Sequence, residues 1–81
     1  MVSVDYDYNF KNIFEKLDKN VKEKVEKQIS KIISNPKIGK PMRFSRKGTR
    51  EVYVSPFRLS YIYIKEENKI VFLDFYHKDK Q

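Results

Sequence analysis

The stretch Arg50 to Tyr63, REVYVSPFRLSYIY, constrains the fold of this chain more than any other. It reads as two alternating strands reversed through Ser55-Pro56, with Val52 and Val54 on one side of the first and Leu59, Tyr61 and Tyr63 on one side of the second. Glu51, Tyr53, Arg58 and Ser60 then fall on the opposite face. A guanidinium at Arg58, carried on a rigid sheet, has the planar fork that suits a phosphate.

The rest of the chain supplies a cover for one face of that hairpin. Val2, Val4, Tyr6 and Tyr8 alternate with Ser3, Asp5 and Asp7, predicting a first strand. Phe10, Ile13, Phe14 and Leu17 have helical spacing behind Asn9 as N-cap. A second helix is expected behind Asn20, with Val21, Val25, Ile29, Ile32 and Ile33 along one stripe and a stop at Asn35-Pro36. Such a helical pair, antiparallel across its short connection, covers one face of a sheet. Opposite charges at i,i+4, such as Lys11/Glu15 and Lys22/Glu26, mark the solvated side.

Residues 36–49 hold both glycines and two of the three prolines, which predicts a loop with a short edge strand near Met42 to Phe44. Strands are expected at about 50–54, 57–65 and 69–78, with Val71, Leu73 and Phe75 continuing the core face. Asp74, Tyr76 and Lys78 then share the side of Arg58. The expectation is a single α+β domain over residues 1–81, in the order β-α-α-β-β-β. It has an antiparallel sheet with the helical hairpin on one face and the other face left uncovered.

Charge singles out the same region. Of the net +7, residues 1–36 contribute +1, residues 61–81 contribute 0, and residues 37–60 contribute +6, including all four arginines. A basic block of this kind beside sheet aromatics is the electrostatic footprint of a polyanion partner, most directly nucleic acid. With 81 residues the chain builds one core, and with no cysteine it has neither disulfide nor thiolate site. One histidine and scattered carboxylates predict no metal and no cofactor. The N-terminus lacks a basic region followed by an apolar core, and no apolar run approaches membrane-spanning length, so a soluble cytoplasmic protein is expected.

Phenols and cations on one sheet face suit RNA, since charges hold phosphates and rings stack on unpaired bases. RNA also carries its own nucleophile, the 2′-hydroxyl, so cleavage needs only a base, an acid and a cation on the phosphoryl group. Arg58 is the candidate for the cation. Lys78 can share that task or act as a base if neighbouring cations leave some neutral amine. Tyr76 is a candidate acid or stacking platform. His77 has the reference pKa for proton transfer but the opposite strand parity, and reaches the site only if the strand ends or twists there. Asp74 serves to orient Arg58. Arg43, Arg46, Lys47, Arg50 and Tyr53 complete the expected RNA-binding set.

The order of elements, the motif PFRLSYIY and the ending IVFLDFYHK resemble the toxin side of the RelE/ParE superfamily of toxin–antitoxin modules, over most of the chain. In the RelE branch that resemblance implies a ribosome-dependent mRNA endonuclease. It enters the A site and cuts through 2′-OH attack, leaving a 2′,3′-cyclic phosphate without metal. Arg58 matches the strand arginine of that branch, and Lys78 the basic residue after the last strand. An antitoxin partner and a hetero-oligomer with it are implied by the family alone. The chain departs where well-studied members carry lysines, having Glu51 and Tyr53 instead, so Arg46, Lys47 or Arg50 is expected to supply charge. Many members place a catalytic tyrosine in a C-terminal extension; here Tyr76 or His77 is expected to take the acid role. The alternatives are a ParE-like inhibitor that binds DNA gyrase without cleaving, and a catalytically weak domain that binds RNA or antitoxin.

Overall fold

The computed structural model describes residues 2–43 and 48–77. Arg46, Lys47 and Lys78 of the expected site lie outside the described residues, as does Phe44 of the expected edge strand. The elements run β1 (Ser3–Tyr6), α1 (Tyr8–Glu15), α2 (Lys19–Ser34), β2 (Lys40–Pro41), β3 (Arg50–Val54), β4 (Phe57–Ile64) and β5 (Lys69–His77), with one 3₁₀ turn at Lys65–Glu67. The strands form one sheet in the order β1-β5-β4-β3-β2, covered on one face by both helices.

Both helices start earlier than the asparagines suggested. Asp7 accepts from the Asn9 backbone N–H at 2.9 Å and Asp18 from that of Val21 at 2.9 Å. A carboxylate satisfies an orphan N–H and also complements the positive end of the helix, so an aspartate just upstream takes the cap position. The amide of Asn9 is used elsewhere, donating to Asp74 Oδ1 at 3.2 Å. In α2, Val25 and Ile32 are completely buried while Ile33, expected on the same stripe, is exposed. Burial of each such side chain contributes about 1.5–3 kcal/mol.

The sheet is mixed rather than antiparallel throughout. β1 pairs in parallel with β5, Ser3 to Tyr6 against Lys69 to Phe72. The pairing is extended at each end by Ser3 N–H donating to Asn68 O (3.0 Å) and Asp7 N–H donating to Phe72 O (2.8 Å). Asn68 closes the 3₁₀ turn at φ 49°, a left-handed conformation that asparagine tolerates.

The expected core face of β5 is corrected by a β-bulge. Ser60 pairs with Asp74 but Tyr61 pairs with Phe72, which leaves Leu73 as the extra residue. Below the bulge Ile70 and Phe72 are buried under the helices, and above it Phe75 is, so Val71 and Leu73 lose the core positions that simple alternation assigned them. Asp74 Oδ1 accepts from the Phe75 N–H at 2.8 Å, and with the Asn9 amide on the same oxygen this pins the bulge to the start of α1. The core is rich in aromatic rings: the buried Phe72 sits 5.8 Å from the buried Phe10, the exposed Tyr6 stacks 5.4 Å from Phe72 at the edge, and the partly buried Phe57 stacks on Phe75 at 4.7 Å.

Candidate functional site: the helix-free face of the sheet

Cross-strand partners share a face, so the register places the side chains in rows. One row on the face away from the helices is Tyr53–Arg58–Tyr76, spanning β3, β4 and β5. The next is Lys40–Glu51–Ser60–Asp74, spanning β2 to β5. The bulge at Leu73 is what brings Tyr76 into this arrangement while Phe72 stays in the core.

Arg58 stands between two phenols. Its Cζ lies 6.0 Å from the centroid of Tyr53, a half-exposed ring whose hydroxyl is 3.4 Å from Ser55 Oγ. Its Nη1 is 3.7 Å from Glu51 Oε1, and the Tyr76 hydroxyl donates to Glu51 Oε2. Glu51 is only 3% exposed, so the centre of this face is a buried carboxylate held by a guanidinium and a phenol. Arg58 is 30% exposed, and its shielded Nε–H has no acceptor among the described residues. The guanidinium is therefore not saturated by protein acceptors, and an anion arriving at its exposed side meets a positive charge that the Glu51 carboxylate 3.7 Å away offsets only in part.

The other candidates divide. Arg43 is exposed in the segment following β2. Arg50 is on the helix side, in register with Tyr61, and its Nη1 donates to Gly39 O at 2.8 Å and Lys37 O at 3.2 Å. Its parity with Val52 and Val54 already carried that signal. β5 continues regularly through His77, which keeps the imidazole on the helix side, edge-on to Phe57 at 5.6 Å between centroids. The Arg58 row thus does not include it. Sequence reasoning put Glu51 on this face but gave it no role, since no local pattern reveals its burial, and it missed Lys40, which sits in a two-residue strand with no alternation to read.

A separate groove of about 480 Å³ lies on the helix side, lined by Tyr6, Phe10, Phe14 and Ile29 with Lys11 and Glu26 at its rim. No helix among the described residues is long and apolar enough to cross a membrane.

This architecture is that of RelE-like toxins. The structure superposes on a chain of the intact E. coli RelBE toxin–antitoxin complex with a TM-score of 0.81 at 19% identity, covering 95% of this chain and 96% of that one. The RelBE2 complex of Mycobacterium tuberculosis gives 0.84 at 23% identity, covering 95% and 98%. A YoeB/ParE toxin from Agrobacterium tumefaciens gives 0.84 at 13% identity, covering 94% and 98%. No curated protein sequence matches the chain. The profile of the ParE toxin of type II toxin–antitoxin systems, parDE, matches residues 4–81, and the chain belongs to that family within the RelE/ParE superfamily.

Proposed function

We propose that this toxin acts in the cytoplasm as a ribosome-dependent mRNA endonuclease that cleaves by 2′-OH attack, and that a cognate antitoxin restrains it in a hetero-oligomer. The observation that carries the reading is the row Tyr53–Arg58–Tyr76, a guanidinium between two phenols on the uncovered sheet face, with the Glu51 carboxylate against it. In the reaction the 2′-oxygen attacks phosphorus, the bond from phosphorus to the 5′-oxygen breaks, and a 2′,3′-cyclic phosphate and a 5′-hydroxyl result. Arg58 binds the phosphoryl oxygens as charge develops on them. Tyr76, already hydrogen-bonded to Glu51, relays the 2′-hydroxyl proton to that carboxylate. Tyr53 offers a ring for an unstacked base. Lys78, one residue past β5, is assigned the second cation and the leaving-oxygen proton. The uncovered sheet face and the groove between the helices are two seats for an antitoxin segment that folds on contact.

Primer extension on a message under translation tests this. Cuts within the A-site codon that disappear with Arg58→Ala support the nuclease. The competing reading, gyrase inhibition without cleavage, is favoured by one feature, the buried Glu51 that offsets part of the Arg58 charge. Loss of DNA supercoiling activity with intact message establishes that reading and removes the first.

A further inference from the structure

We infer that Lys40 is a phosphate-binding residue of the helix-free face, delivered there by Tyr61 and Arg50 acting from the opposite side of the sheet; the inference rests on the RNA-directed reading of that face. β2 is two residues long, too short to hold its own register. Its residues pair with Glu51 and Arg50, so Pro41 shares the helix side with Arg50 and Lys40 shares the open side with Glu51.

The segment entering β2 is fastened by side chains that take no part in the Arg58 row. The completely buried Tyr61 donates its hydroxyl to Pro36 O at 2.7 Å and accepts from Gly39 N–H at 2.9 Å. Arg50 adds its bonds to Gly39 O and Lys37 O. The fit leaves no room at Gly39, where a Cβ would stand 2.6 Å from Tyr61 Oη and 2.8 Å from Cε1. With the backbone of residue 39 held from below, the next residue emerges on the other face.

Lys40 is exposed and makes no ion pair among the described residues, whereas Arg58 shares its charge with Glu51. Standing in register with Glu51, it also counters the negative charge that an incoming phosphate meets at the centre of the face. Lys40 and Arg58 are two strands and two residues apart, about 12 Å at about 4.8 Å per strand and about 3.4 Å per residue, a span over which the two long side chains reach separate phosphates of one strand.

Fluorescence anisotropy with a labelled 2′-O-methyl RNA oligonucleotide, which binds but cannot be cut, tests the assignment across a salt series. One lost phosphate contact lowers the slope of log K against log salt by about 0.7 for single strands. Lys40→Ala is expected to lose that amount and Lys40→Arg to restore it, while Lys24→Ala on the outer face of α2 leaves it unchanged. Tyr61→Phe keeps the Lys40 charge yet is expected to weaken binding, with no further loss in the double variant. Lys40→Ala with an unchanged slope, beside an Arg58→Ala that loses contact, overturns the inference and leaves the RNA reading standing. Binding that is absent, or insensitive to Arg58→Ala, removes the RNA reading itself and the inference with it.

Discussion

Tyr61→Phe removes one oxygen atom from the fully buried interior and leaves the ring in place. Two groups lose their partner: the Gly39 N–H, at a buried residue, and the Pro36 carbonyl, at a half-buried one. An orphaned buried donor costs about 1–3 kcal/mol, while a carbonyl near the surface turns to water at little loss. Removing the buried hydroxyl also returns a small part of its own desolvation, so the net destabilisation is about 2 kcal/mol. For a domain of this size that is a fall in Tm of about 8–16 °C, and the variant stays folded at room temperature. Urea unfolding followed by circular dichroism measures it, with an unchanged slope on denaturant because the same surface is exposed. Tyr63→Phe is the control, since that hydroxyl makes only an exposed 3.3 Å contact with Asn68 Oδ1. If the two variants agree within about 0.5 kcal/mol, the hydroxyl of Tyr61 holds nothing and the clamp on residues 36–39 is not an energetic feature.

Asp18→Ala is expected to cost about 1 kcal/mol and Asn20→Ala close to nothing, read from urea midpoints; the reverse order would restore Asn20 as the cap. Glu51→Gln should loosen the fold by about 1–3 kcal/mol, held to the low end because Arg58 is partly hydrated. The same change should tighten RNA binding while slowing cleavage, so weaker binding would contradict the view of Glu51 as a brake on the Arg58 charge. In alkali, burial raises the Tyr61 pKa above 10.0, against the opposing Gly39 hydrogen bond and Arg50 charge, and the Asp5 carboxylate 2.8 Å away raises that of Lys69 above 10.5. Both groups hold their protons more tightly folded than unfolded. Their contribution is therefore complete below about pH 10 and is lost as the pH climbs through the raised values, a decline that urea midpoints should show and Tyr61→Phe should flatten.

Period-two alternation is a local property, and it correctly put Leu59, Tyr61 and Val54 under the helices and Arg58 on the other face, just as helical spacing identified Phe10, Val25 and Ile32 as core. The two-helix, α+β order and the basic segment were legible for the same reason. Arg50 shows the rule applied too loosely, since its parity with Val52 assigns it to the helix side. What no local pattern carries is pairing between distant segments. The parallel union of β1 with β5, the bulge that exchanges Leu73 for Phe72 in the core, and the register that sets Lys40 beside Glu51 each depend on a partner strand remote in sequence. A one-residue offset reverses every side chain beyond it, so the chain alone names the residues able to grip a phosphate, and only the assembled sheet decides which of them meet on one face.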